Sequence, residues 1–273
     1  NTKDKNMNLR ATHPAILNGT TIHPGTIKVP TYGKIFKSAD MNTKLGGCSD
    51  WAGSERKRNK KNKDSVITNP KWFGQRFYYN TLTERETCPT DCKFWTKCYG
   101  NSMGFAHRMQ HGQEMEDIMM WEMESLSLEN RNKFFTIRPH VLGDFYSLKY
   151  VELWDKMLTN FRVNAFGYTA YLPDSKNSKY SEIGQALIEL REKHTDRFWI
   201  RQSGGSAPTM SALGMSNPLA KEQLKSKKAF ICPNQLTKKS SACTDTFQPK
   251  RAKNCASCGL CYRTKKNVVF LEH

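Results

Sequence analysis

The residues best suited to chemistry in this chain stand near its end, in Cys255-Ala-Ser-Cys258-Gly-Leu-Cys261. Three thiols at a C-x2-C-x2-C spacing curl into a loop whose sulfurs face one centre, as three corners of a cubane iron–sulfur cluster require. The fourth thiolate can come from far away in sequence. Cys232 is the best placed, because a strand ends there and Pro233 follows it, the Cys-Pro order of bacterial cluster-binding runs. Tetrahedral zinc is the rival, but its usual grammar is two separated Cys-x2–4-Cys pairs. Three thiols packed into one short loop match that less well.

A second group, Cys88-x3-Cys92-x5-Cys98, offers three close thiols with no fourth beside them. Three-thiolate ligation leaves one iron of a cubane open to an exchangeable ligand. Two other readings stay open for this group. One is a zinc site completed by His107 or His111; the other is a cluster completed by Cys48 or Cys243. Cys243 also competes with Cys232 for the C-terminal group. His140 stands just before Gly143-Asp144 and suits an acid, a base, a ligand or a structural role. Gly204-Gly205 lacks the Lys-Ser/Thr of a phosphate loop, and no His-Glu-x-x-His or Ser/His/Asp grammar is present.

Composition narrows the class. The 273 residues are 37% hydrophobic with a mean hydropathy of -0.71, and no apolar run is long enough to span a membrane. Nine cysteines in short-spaced groups, with no apolar leader in the first residues, favour metal binding in a reducing, cytoplasmic setting over a disulfide framework. The formal charge of +18 gathers in Glu55–Lys63, Lys221–Lys228, Lys238-Lys239, Lys250–Lys253 and Lys265-Lys266. Such loops either meet nucleic acid or only keep the chain solvated.

The elements that must hold these groups follow from periodicity. Residues 1–73 read as an irregular region with a basic insertion, residues 74–232 as the core, and residues 233–273 as a cysteine-rich segment packed on it. Strands are expected at Arg76–Tyr79, Phe134–Val141, Asn164–Ala170, Arg197–Arg201, Ala229–Ile231 and Asn267–Leu271. Helices are expected over His111–Leu128, from a Ser147 cap with Tyr150, Val151, Trp154, Met157, Leu158 and Phe161 inward, and over Ser181–His194. Alternating strands and helices predict an α/β fold of βα repeats with a mainly parallel sheet, an open or partial barrel. Ligands of such sheets bind at the carboxyl ends of the strands. Loop 88–98, Gly143-Asp144, Thr169, Gln202-Ser203 and Cys232 are therefore expected on one rim.

With these residues in view, the chain resembles a family of poorly characterised phage and bacterial proteins. The likeness rests on Tyr78-Tyr-Asn-Thr-Leu-Thr-Glu-Arg-Glu-Thr-Cys88-Pro, Cys98-Tyr-Gly-Asn, His140-Val-Leu-Gly-Asp-Phe-Tyr-Ser147, Ile231-Cys-Pro233, the C-terminal cysteine run and Phe270-Leu-Glu-His273, and covers residues 74–273. It implies a phage-associated protein and no particular activity. A looser likeness to radical S-adenosylmethionine proteins implies a cluster on Cys88, Cys92 and Cys98, with Gly143 and Asp144 holding the cosubstrate; their usual spacing is Cys-x3-Cys-x2-Cys, so the last interval here is longer. The expectation is thus a protein with one or two [4Fe-4S] clusters, or zinc instead. It is a redox or radical enzyme served by an electron donor, or a non-enzymatic metalloprotein associated with nucleic acid.

Overall fold

A computed structural model describes residues 27–28, 35–38, 67, 69–95, 98, 100, 107–233 and 255–271. Cys48, Cys243 and the basic runs at 55–63, 238–239 and 250–253 lie outside the described residues.

The first elements are β1 (Ile27–Lys28), β2 (Lys37–Ser38), β3 (Phe77–Tyr79), α1 (Glu84–Thr87), β4 (Arg108–Met109) and α2 (Gln113–Glu129). The core repeat follows as β5 (Phe135–Arg138), α3 (Leu148–Asn160), β6 (Val163–Thr169), α4 (Ser178–Lys193) and β7 (Phe198–Ser203). Then come β8 (Ser211–Gly214), α5 (Pro218–Lys225), β9 (Ala229–Ile231), α6 (Cys255–Cys258), α7 (Leu260–Arg263) and β10 (Asn267–Phe270).

Eight strands form one sheet in the order β2-β3-β5-β6-β7-β8-β10-β9. Only the β2–β3 pair is antiparallel, and the sheet does not close on itself. The fold is α/β and open, as the pattern of elements predicts. Strand β10 enters between β8 and β9, pairing parallel with both, so the end of the described chain is part of the sheet.

Alternation along the strands separates two faces. Val163 and Ala165 of β6, Phe135 and Ile137 of β5, and Phe198 and Ile200 of β7 point into the core beneath the long helices. Phe166 and Trp199, from the same strands, point the other way, against Trp72, Ala256 and Tyr262. On the helical side α3 starts where Ser147 Oγ accepts from Tyr150 N at 3.1 Å, and it buries Tyr150, Val151, Trp154, Met157 and Leu158. On α2, Met115, Met119 and Met123 are fully buried at four-residue spacing. Glu116 and Glu122 of α2 are buried as well. Tyr146 Oη donates to Glu116 at 2.7 Å, and Glu122 accepts from the backbone N–H groups of Ile35 and Phe36 at 3.0 and 2.9 Å. That pair of bonds attaches the N-terminal segment to the core.

Candidate metal and cofactor site

The first thiol group hangs from α1. Cys88 caps that short helix by donating its N–H to Glu84 O at 3.1 Å, and Cys92 N closes a turn onto Pro89 O at the same distance. Glu84 is itself buried and clamped by Arg108, with Nε to Oε2 at 2.6 Å and Nη2 to Oε1 at 2.9 Å. Arg108 Nη2 also donates to Gly100 O at 3.1 Å, tying the far end of the cysteine loop to the same ion pair. A methyl group at Gly100 would stand 2.8 Å from Glu84 Oε1 and 3.3 Å from Cys98 Sγ, so the loop passes where only glycine fits.

Cys88, Cys92 and Cys98 line one wall of a cavity of about 170 Å3 at the carboxyl ends of β5, β6, β7, β8 and β10. Gly143, Asp144, Thr169 and Ser203 line it too, so most of the rim expected from the topology gathers, whereas Cys232, expected on the same rim, lines the second pocket. Gln202 is buried in the sheet instead. Gly143 has φ +85, and a Cβ there would meet Leu82 Cβ at 2.6 Å and Thr87 Oγ1 at 2.7 Å. Asp144 Oδ2 accepts from Ala170 N at 2.6 Å and Oδ1 from Phe145 N at 2.8 Å, while its own N–H reaches Thr87 Oγ1 at 3.1 Å. Burial pushes its carboxyl up to about 7 against those bonds. The Thr169 side chain adds a third hydrogen bond, so of the about four acceptor positions of a carboxylate about one is left open.

His140 is buried beside them with φ 54, a left-handed conformation that costs energy for a residue with a Cβ. Its Nε2 is 3.0 Å from Tyr150 Oη, and burial holds its pKa down at about 3, so the ring is neutral. Neither His107 nor His111 lines the cavity. His107 is exposed, and His111 Nδ1 lies 3.5 Å from Glu86 Oε2, away from the thiols.

The second group sits on the face of the sheet opposite the long helices. Cys232 follows β9 directly and donates its N–H to Val269 O at 2.9 Å. Cys255, Cys258 and Cys261 lie on α6 and α7, which Gly259 separates with φ +65. A Cβ at Gly259 would come 2.4 Å from Asn69 Cγ, and Asn69 Nδ2 donates to Cys258 O at 3.0 Å. Tyr262 stacks on Trp72 with centroids 4.4 Å apart and donates to Cys255 O at 3.1 Å. All four cysteines line a space of only about 20 Å3.

Two buried cations act on this second group from outside its lining. Arg201 is completely buried in β7, and its guanidinium donates to three backbone carbonyls: Cys261 O at 2.9 Å, Lys266 O at 2.7 Å, and Thr264 O. No carboxylate is among those partners. Burial lowers its pKa, with Cys261 and Tyr168 opposing. Arg138, at the end of β5, stands 5.7 Å over the Tyr168 ring, and its charge acts on Cys255. A fully buried cation costs several kcal/mol unless negative charge lies close by, and thiolates are the negative charge on offer.

None of the seven described cysteines is in a disulfide. Burial raises the pKa of Cys88 and Cys255 well above the ordinary thiol value, and charge on neighbouring sulfurs adds to it in both groups. Cys92 is pushed up to about 12 and Cys258 to about 11, again by burial. Among the described residues, no three His, Cys, Asp or Glu side chains stand as a ready group for a metal ion. What the two pockets do bring together is donor type: three thiols line one and four line the other, and thiolates are ligands of soft metals. Within each group the sulfurs weigh on one another's charge, Tyr168 lines both pockets, and the C-terminal group faces an arginine that has no carboxylate among its hydrogen-bond partners.

Sequence reasoning missed Arg138, Tyr168 and Arg201. The signal was there, because an arginine inside Phe198-Trp-Ile-Arg201 interrupts an apolar strand and so announces a buried charge. No protein-family model, curated protein or solved structure matches this chain. Among the described residues, no helix is long and apolar enough to cross a membrane.

Proposed function

We propose that this chain is an iron–sulfur protein with a closed cluster on Cys232, Cys255, Cys258 and Cys261 and an open-sided one on Cys88, Cys92 and Cys98. In this reading it is a redox enzyme whose substrate enters the cavity beside the open side. The observation that carries the reading is the sorting of seven thiols into two pockets of different kind. One has four thiols around about 20 Å3, and the other has three beside about 170 Å3. Four thiolates complete a cubane and leave nothing exchangeable, whereas three leave a position for a ligand. The Arg138 charge works against the burial that raises the Cys255 pKa, and so favours its thiolate form.

A bound cluster supplies one-electron chemistry and, at the three-thiol site, a place for an exchangeable ligand such as S-adenosylmethionine. Asp144 then takes an ammonium group of that ligand, and the charge of the ammonium draws its carboxyl to the ionised form. His140, held neutral by burial, keeps a proton on one ring nitrogen while Tyr150 fixes the other. Phe94, Leu142, Phe270 and Leu271 keep water from the cavity.

The test is anaerobic purification with iron, sulfide and zinc counted on the wild type and on Cys255→Ala and Cys88→Ala. About eight irons in the wild type and about four in each variant, with matching sulfide, support the reading. Zinc without sulfide in a colourless protein overturns it, and leaves a structural metalloprotein with basic loops meeting nucleic acid. That form would bind polyanions with a steep loss of affinity as salt is added.

A further inference from the structure

We propose that Tyr168 sets the potential of the C-terminal cluster and couples it to the open one, an inference that rests on the two-cluster reading above. Tyr168 lines both thiol pockets, so its side chain is part of the wall between them. Its Oη lies 2.9 Å from Cys261 Sγ. Once Cys261 is a metal-bound thiolate the sulfur has no proton, so the tyrosine is the donor. The ring is held in place from two sides. Phe270 meets it edge-on at 5.5 Å and 76°, and the Arg138 guanidinium stands 5.7 Å over it. Arg138 lines the first cavity alone, so of these two groups it is Tyr168 that faces both sites.

Hydrogen bonds to cluster sulfurs raise the reduction potential, because the reduced cluster carries more negative charge and gains more from a donor. The exchange itself is simple in atoms and electrons. One cluster loses one electron as the other gains it, and no bond is made or broken. The electron enters from a low-potential one-electron carrier protein, for which dithionite stands in during the test. Tyr168 acts through Cys261 and is a positioning residue, not a catalytic one.

The experiment is a potentiometric titration of the fully loaded protein followed by electron paramagnetic resonance, on wild type, Tyr168→Phe and Tyr168→3-fluorotyrosine. Iron is counted first. Wild type without iron and sulfide overturns the two-cluster reading and this inference with it. With both clusters present, Tyr168→Phe should shift the C-terminal couple negative. The distribution of an electron between the clusters then changes about tenfold, which is about 59 mV for a one-electron couple. The fluorinated tyrosine, a stronger donor of the same shape, should shift it the opposite way. Unchanged potentials in loaded variants overturn the inference while leaving the clusters in place. If the phenylalanine variant fails to hold iron, the fluorinated one decides by itself.

Discussion

The two thiol pockets use the same ligand type in opposite surroundings. Around Cys88, Cys92 and Cys98 stand carboxylates as well as arginines: Glu84 neutralises Arg108, and Asp144 is buried with no arginine among its hydrogen-bond partners. Around Cys232, Cys255, Cys258 and Cys261 the buried charges are Arg201 and, acting on Cys255 from the wall of the other cavity, Arg138. The N-terminal pocket holds the larger free space, while the C-terminal one lies against two short helices and leaves little room. Buried arginines and a tight fit suit a centre that stores an electron. A mixed shell beside open space suits one that does chemistry. In the two-cluster reading the C-terminal cluster is therefore the first to be reduced.

The largest effect should come from Arg201→Met, which strands the carbonyls of Cys261, Thr264 and Lys266. The expected loss is about 3–5 kcal/mol of unfolding free energy in urea and, in the two-cluster reading, the C-terminal iron with it. If metal content at that pocket stays full, the arginine is not its clamp. Next come two glycine variants, each aimed at one pocket. Gly143→Ala drives a Cβ into Leu82 and Thr87 and should cost about 3 kcal/mol, disturbing the N-terminal pocket alone. Gly259→Ala displaces Asn69 and should cost about 2 kcal/mol, disturbing only the C-terminal pocket. Metal counts that fall together in either variant would show that the pockets assemble as one.

The pH dependence separates the sites further. His140 has its pKa depressed to about 3, so between that value and its unfolded value the unfolded chain binds the extra proton. The stability it supports is complete above the unfolded pKa and drains away as pH falls. Asp144, raised to about 7, acts in the other direction, its contribution being lost as pH rises. His140→Asn keeps a residue tolerant of positive φ and removes the imidazole. The drop in stability from pH 7.5 to pH 5 should shrink by about 2 kcal/mol in this variant, read by urea unfolding at both pH values. Last and smallest, Ser147→Ala removes the cap of α3 at a cost of about 1 kcal/mol in thermal unfolding. Both metal counts should remain untouched.

Most of the long elements were legible because their signal is local. The methionine spacing of α2, the Ser147 cap and the aromatic start of β3 each lie within one stretch of chain. The strand-end rule then brought Cys88, Cys92, Cys98, Gly143 and Asp144 to one rim from residues far apart in sequence. What escaped is short or non-local. Strand β8 is four residues without alternation, although Asn217-Pro218 did advertise the start of α5. Helix α4 starts at Ser178, under an Asn177 cap, earlier than its apolar spacing suggested. Nor does any local pattern say that β10 enters between β8 and β9, or that the C-terminal thiols face the sheet while the others crowd its rim.

The bond from Cys232 N–H to Val269 O has a consequence for how the molecule is made. Cys232 leaves the ribosome well before β10, yet its backbone is anchored by that last strand. Residues 267–270 must be synthesised and paired with β8 and β9 before the four-thiol pocket exists. In the two-cluster reading, loading of that pocket would then be a late step of biogenesis. Until then its cysteines are as open to oxidants and stray metals as those of any nascent chain.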